Sequence, residues 1–459
     1  MANIQEKYDL TQGVIWKKLL RFFLPIVVGT LFQQLYNTVD AIVVGRFVGV
    51  RALAAVGGSA AVILNLLIGF FIGLSVGATV IISQYFGAGD GKNIFRAVHT
   101  SIAFCVVTGA VLTVVGVLIT PWSLRAVHNP GNIMLLSETY LRIFFYGTIP
   151  VMLFNMGSGI LRAVGDSQRP LYYLIFCCGM NIALDLLFVA AFKMGVAGAA
   201  WATVISQLFS AVLILARLCR TDELYKLTLR KVRFYPGTLK NMLRIGIPTG
   251  VESVMYSVSN LIVQAGVNRF GTTVVAASNA SSKVDGIYWA IMQAFGVAIT
   301  ALVGQNFGAG KYDRMKQSVH VAMKISMGIT IALSASILLF GKYCLMLFTD
   351  NPQVIHCGIQ IFSYFAPFYF IWTFIEILSN TFRGAGDATI PMLISIVGIC
   401  GVRICWIQMV VPHWNTLKCL FMCYSLSWLV TAIAFIAYYR SSHWLQKCIH
   451  KMEAVDEPL

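Results

Sequence analysis

The sequence predicts an all-α integral membrane protein of twelve transmembrane helices in two parallel six-helix repeats, on three observations. Of the 459 residues, 58% are hydrophobic and 11% charged, with a mean hydropathy of +0.77, well outside the range of soluble domains of this length. Apolar runs of about 20 residues, long enough to cross the hydrocarbon core, recur about twelve times. The third observation is an internal repeat. Gln84-Tyr85-Phe86-Gly87-Ala88-Gly89 returns 221 residues later as Gln305-Asn306-Phe307-Gly308-Ala309-Gly310, and His99 returns as His320. Arg162-Ala163-Val164-Gly165-Asp166 with Pro170 returns at the same offset as Arg383-Gly384-Ala385-Gly386-Asp387 with Pro391. Nearer the start, Leu20-Arg21, Pro25 and Asn37 match Leu243-Arg244, Pro248 and Asn260 at an offset of 223.

Taken in order, the spans of the first half begin near Phe22, Ala54, Phe95, Met134, Leu171 and Val196. Those of the second begin near Met242, Val275, Val319, Ile359, Pro391 and Leu417, the last ending near Tyr438. The expected division is an N-terminal lobe over 1–219, a basic linker over 220–240, a C-terminal lobe over 241–440 and a tail over 441–459. The first twenty residues are mixed polar, with Trp16, Lys17 and Lys18 before the first span, and show no apolar run followed by a small-residue cleavage site, so no removable signal peptide is expected.

The formal charge of +16 is placed for membrane topology rather than for nucleic acid. Arg217, Arg220, Lys226, Arg230, Lys231, Arg233, Lys240 and Arg244 crowd the junction of the halves, and further basic residues, Lys7 and Lys451 included, collect on the same set of connections. By the positive-inside rule both termini and the linker are cytoplasmic. Six spans per half then make the halves parallel repeats about the membrane normal, a common construction of secondary transporters. The linker itself reads as a solvated, topology-setting loop, with contact to anionic lipid as the other reading.

Several patterns are decoys. The eleven cysteines mostly sit in apolar spans as small hydrophobes; Cys419 and Cys423 are one turn apart, but no second cluster with ligand spacing accompanies them, so no metal and no cofactor is expected. Gly73-Leu74-Ser75-Val76-Gly77 matches a nucleophile elbow but lies inside an apolar helix, where Gly69, Gly73 and Gly77 form a small-residue ridge for close helix packing. Walker, HExxH and Rossmann patterns are missing, which speaks against ATP-driven transport and against an enzyme.

A charge at the bilayer centre costs roughly 2.5 to 3.5 kcal/mol on insertion scales, so the intramembrane Asp40, Asp185, Glu252, Lys283, Asp285, Glu376 and Arg403 each need a partner, a water-filled cavity or a function. Gln33, Tyr36, Asn37 and Asp40 form one polar stripe at helical spacing on the first span. Asn181 and Asp185 share a face of the fifth, with Thr203 of the sixth in reach. This group is either a register-fixing hydrogen-bond network or a titratable proton site, since two carboxylates in an apolar medium do not both stay ionised at ease. Asp40 aligns with Val263 and Asp185 with Trp406, so neither acid is duplicated, whereas Asp166 and Asp387 recur before helix starts as capping requires. In the second half Glu252, Tyr256 and Asn260 lie at i, i+4, i+8. Lys283 neutralises Asp285 or Glu376 if this set is an ion-pair network, and the alternative is a cation site. Arg403 pairs with an acid or a carbonyl. Gln33, Tyr36, Met255, Tyr256, Asn260, Tyr288, Trp289 and Met292 are candidates for an adaptable cavity.

On these residues the chain resembles the multidrug and toxic compound extrusion (MATE) transporters over Leu19 to about Tyr439. The resemblance rests on the two six-span halves, Gln33 to Asp40, the paired Phe-Gly-Ala-Gly loops and the paired Arg-x-x-Gly-Asp turns. It implies a V-shaped bundle of two lobes that opens alternately to either side, and a secondary antiporter exporting amphipathic, often cationic drugs or toxic metabolites against inward protons, with sodium as the other coupling ion. The group Asp40, Tyr36, Asn181, Asp185 and Thr203 looks like the proton-linked network of the DinF-like branch. Glu252 and Glu376 lie in helices comparable to those that carry sodium-binding acids in the NorM-related branch. The implied setting is the plasma membrane of a bacterium, as a monomer. The rival reading is a lipid-linked glycan flippase of the same superfamily; five intramembrane acids against two bases favour protons or cations over pyrophosphate.

Overall fold

A computed structural model describes residues 9–127, 129–441 and 443–456. Lys7 and the outer ends of the expected first lobe and tail lie outside the described residues, as does the side chain of Lys451. Every regular element among the described residues is helical. Twelve long helical segments follow one another: α1 (Ile15–Phe47), α2 (Val50–Ala88), α3 (Gly91–Ala126), α4 (Gly131–Tyr146 continued by Thr148–Ala163), α5 (Gln168–Ala191), α6 (Gly195–Arg220), α7 (Pro236–Asn268), α8 (Thr272–Gly308), α9 (Tyr312–Met346), α10 (Pro352–Gly384), α11 (Thr389–Val410) and α12 (Leu417–Arg440), with a C-terminal α13 (His443–Asp456).

Among the described residues nine of these are long and apolar enough to cross a membrane by length and composition, and the limbs of α4, bent by 52° at Gly147, make a tenth if taken as one span. The two left over are α1 and α7, the first helix of each half. These are the helices that carry the polar stripes. Helix α1 begins at Ile15, earlier than the expected Phe22, and runs through Pro25 without interruption. Proline lacks an N–H, so one turn of α1 loses its backbone hydrogen bond at that point.

The repeat is written into the backbone. Gly89 and Gly310, 221 positions apart, have φ of 70° and 69°, and Gly165 and Gly386 have φ of 90° and 96°. Only glycine takes these left-handed angles without strain, so each sequence repeat marks the end of a helix. Asp166 then accepts from the backbone N–H groups of Gln168 and Arg169, both at 3.2 Å, and pairs with the Arg169 side chain at 2.8 Å. Its counterpart departs from the capping expectation. Asp387 accepts from the Tyr438 hydroxyl at 2.7 Å and faces Lys447 at 3.6 Å, because α12 and α13 bring donors to it that the first half does not have.

The chain forms two compact units, one of residues 21–250 and one of 10–20 with 251–459. The division therefore falls inside α7 at Gly250 and inside α1 at Leu20, rather than at the 220–240 linker, and two packing facts explain it. The start of α7 lies backbone to backbone on α2: a Cβ on Gly73 would come 2.5 Å from the Gly250 Cα, and one on Gly77 would strike the Met242 carbonyl. The small-residue ridge thus does the close packing expected of it. The Leu10 N–H donates to Gln305 Oε1 at 3.0 Å, and Lys311 donates to the Thr11 carbonyl at 3.0 Å, which ties the N-terminal segment to the second unit.

Within the first unit, α2 packs on α3 and on the second limb of α4, and α5 pairs with α6; within the second, α8 packs on α9 and α10, and α10 on α12. The core of the first unit gathers Val43 and Val44 of α1 with Val56, Ile63, Leu141, Phe145, Val189 and Val196. It seals the end of α1 that lies just beyond Asp40.

Candidate functional site

In the first unit the structure brings four elements to one place. Asp40 reaches it from α1, Asp185 and Asn181 from α5, Thr203 from α6, and Tyr140 from the first limb of α4. Asp185 and Asn181 are 0% exposed and Thr203 4%. The Asp40 and Asp185 carboxyl groups are close enough for each to act on the other. No donor among the described residues reaches either oxygen of Asp185 or Oδ1 of Asp40. A carboxylate only accepts, so a bond between the two exists only while one of them holds a proton.

The neighbours are polar but neutral. Asn181 donates to the Thr203 hydroxyl at 3.5 Å, and that hydroxyl donates to the Ala199 carbonyl at 3.1 Å. Tyr36 stands beside Asp40, Tyr140, Cys177 and Cys178, and the Cys178 thiol donates to the Phe32 carbonyl at 3.8 Å, joining α5 to α1. Gln33 and Asn37, on the same stripe of α1, are exposed. Two features escaped the sequence reading. Tyr140 is 7% exposed and close enough to feel both carboxyl groups. Immediately after Asp185, residues Leu186–Ala191 open into a π-helical turn, a widening that often accompanies functional sites and leaves no mark in composition.

The second unit arranges its charges differently. Glu252 pairs with Arg383 at 2.6 Å, each side chain 15% exposed. Arg383 also donates to Asn380 Oδ1 at 3.4 Å, and Asn380 donates to Glu376 Oε1 at 2.8 Å. Gly296 makes room for this carboxyl, since a Cβ there would collide with Glu376 Oε1. Asp285 accepts from the Tyr369 hydroxyl and from Trp289 Nε1, the latter at 2.6 Å. The cation of the network is therefore Arg383. Lys283, two residues from Asp285 and so on a different face of α8, is exposed and pairs with neither Asp285 nor Glu376.

Arg403 is 0% exposed and finds a carbonyl as expected, donating to Asn260 Oδ1 at 3.1 Å and to Ser427 Oγ at 3.2 Å. Its guanidinium lies over the rings of Tyr256 and Tyr424, 5.4 and 4.4 Å from their centroids, contacts that offset part of the burial cost. Met255 accepts a thiol hydrogen bond from Cys400 at 3.3 Å through its carbonyl. Two of the cavity candidates are packed inside the unit: Tyr288, 0% exposed, stacks on Tyr369 at 4.0 Å, and Met292, 1% exposed, meets the Thr330 hydroxyl at 3.6 Å. Both lie on the buried side of α8, where α10 covers them.

Duplicated halves of membrane-spanning helices with carboxyl groups sealed among them are the build of a secondary transporter. The family model MatE matches residues 25–187 and again 248–407, once in each half. The chain belongs to this family. Among its relatives, the probable multidrug resistance protein YoeA of Bacillus subtilis is 29% identical over 447 residues, 95% of this chain and 96% of that protein. The multidrug export protein MepA of Staphylococcus aureus is 24% identical over 76% of this chain and 77% of its own length. Among solved structures, a MOP superfamily transporter from Pyrococcus furiosus, described as having a binding pocket of reverse polarity, superposes with a TM-score of 0.87 at 25% identity over 98% of this chain and 99% of that one. A MATE in its bent conformation gives 0.88 at 24% over 96% and 99%, which speaks for the fold alone.

Proposed function

We propose that this chain is a proton-coupled multidrug antiporter of the plasma membrane, exporting amphipathic, often cationic compounds by alternating access, with Asp40 and Asp185 as the coupling site. The observation that carries this reading is the pairing of Asp40 with Asp185, two carboxyl groups that act on each other while no donor among the described residues reaches either oxygen of Asp185, so that the pair is at ease only while it holds a proton. Loss of that proton would set two negative charges against each other in an apolar lobe and favour uptake of a cationic drug or a shift of α1; its return would release the drug. Glu252, held by Arg383, and Asp285, held by Tyr369 and Trp289, serve as fixed charges of the second lobe in this scheme. The relatives named as multidrug resistance and export proteins support the substrate class. The chain acts as a monomer with both termini cytoplasmic, in keeping with its basic linker.

The test is transport of ethidium or a fluoroquinolone into proteoliposomes under an imposed pH gradient and, separately, a sodium gradient. Transport driven by the pH gradient and lost in Asp40→Asn and Asp185→Asn is the expected result. Sodium-driven transport that survives both substitutions would move the coupling site to the second lobe, and absence of transport under either gradient would favour a flippase.

A further inference from the structure

The linker between α6 and α7 is an ordered platform. His99 Nε2 accepts the Thr228 N–H at 3.1 Å, Thr100 Oγ1 accepts the Tyr235 N–H at 3.2 Å, and the Leu218 carbonyl accepts the Leu227 N–H at 2.9 Å. Tyr225 and Leu227 are buried at 5% and 2%. Lys231 and Arg233 of this pinned segment and Arg96 of α3, which also donates to Asn93 Oδ1 at 3.4 Å, lie over two aromatic rings. The guanidinium groups of Arg96 and Arg233 lie 5.8 and 4.7 Å from the ring centroid of Tyr235, and the Lys231 ammonium lies 5.8 Å from that of Phe95. Among the described residues no carboxylate forms an ion pair with any of them. Asp90, which caps α3 nearby, is occupied by Asn93 at 3.0 and 2.7 Å.

Like charges repel, and a fold that holds three of them together without an acid favours an anion from outside. The rim shows which anion. Leu229 is 63% exposed and Phe234 40%, flanking the exposed Arg230, Lys231 and Arg233. Apolar side chains interleaved with cations at the end of membrane helices suit the interface of a bilayer and do not suit a phosphate free in water.

We propose that Arg96, Lys231 and Arg233 form a binding site for the phosphate of an anionic phospholipid, with Leu229 and Phe234 set against its acyl chains. The cations take the headgroup phosphate through charge-assisted hydrogen bonds, while Phe95 and Tyr235 hold the basic side chains in register. An occupied site ties the linker, and through it the start of α7, to one leaflet.

Native mass spectrometry of the purified full-length protein tests this, with phosphatidylglycerol, phosphatidylcholine and inorganic phosphate as probes. Phosphatidylglycerol is expected to bind at least tenfold more tightly than phosphatidylcholine and to resist displacement by inorganic phosphate. Combined Arg96→Gln, Lys231→Gln and Arg233→Gln should remove most of that preference, at about fivefold per cation, while Arg125→Gln at the far end of α3 leaves it intact. Lys231→Gln alone alters only an exposed side chain and provides the same readout if the triple variant does not fold. Leu229→Ser with Phe234→Ser should weaken the lipid without creating affinity for free phosphate. Equal binding of both lipids, an unchanged preference in the Lys231→Gln or triple variants, or displacement by inorganic phosphate would each overturn the proposal.

Discussion

Asp185 is fully buried, and neither of its oxygens meets a donor among the described residues. The paired acids of the second unit are stabilised by fixed partners, and that difference can be measured. Arg383→Gln leaves Glu252 in a largely desolvated position, so it should lower unfolding stability by about 3 kcal/mol. Arg142→Gln should cost under about 1 kcal/mol, because the Arg142 side chain in its pair with Glu138 is 47% exposed. Thermal unfolding in detergent compares the two, and similar losses would mean that Glu252 finds another donor. Tyr369→Phe removes one of the two donors to Asp285 and should cost about 1 to 3 kcal/mol, read by the same melt. A Tyr369→Phe protein as stable as the parent would show that Asp285 is not held as its hydrogen bonds indicate.

At the scale of the element, glycine does opposite things in neighbouring helices. Gly73 lets α2 touch the Gly250 backbone of α7, so Gly73→Ala must push the two helices apart, whereas a methyl group at Gly179 on α5 would meet nothing within 4 Å. Gly179→Ala should therefore stabilise by roughly 0.5 to 1 kcal/mol by lowering the entropy of the unfolded chain, and Gly73→Ala should destabilise by at least about 1 kcal/mol. Melting temperatures moving the same way in both would refute the close α2–α7 contact. The π-helical turns extend the repeat to helix geometry: Leu186–Ala191 follows Asp185 in α5, and Trp406–Val410 occupies nearly the matching stretch of α11. The widening belongs to the duplicated architecture, and the acid beside it belongs to the first half alone.

Across the whole chain, the segment leading into each half is held by the unit of the other half. Residues 10–20 belong with the second unit, and the 221–235 linker with the first. The anchors are different residues of the repeat: Gln305, Asn306 and Lys311 at the α8–α9 turn hold Leu10 and Thr11, whereas His99 and Thr100 near the start of α3 hold Thr228 and Tyr235. His99→Leu removes the acceptor for the Thr228 N–H, and amide exchange there should quicken about fivefold while residues 10 and 11 keep their rates. Faster exchange at both segments would mean that the two straps are not independent.

Much of this is legible in the amino-acid order alone. Twelve spans, two halves and the glycine-ended turns follow from hydropathy and from identical residues at a constant offset, because helix length and left-handed φ are local properties. The stripe ending at Asp40 and the Asn181–Asp185 face are readable for the same reason, since helical spacing alone places them. Partner choice is not. Lys283 lies two residues from Asp285, yet the cation of the network is Arg383, which reaches Glu252 from α10; Asp387 leaves its expected cap for Tyr438 and Lys447; Tyr140 joins the acid pair from α4. Local periodicity determined which face each charged residue occupies, and only the packing of distant helices decided which donors meet it, because an ion pair or a shared proton needs contact within a few ångströms between segments that the linear order leaves far apart.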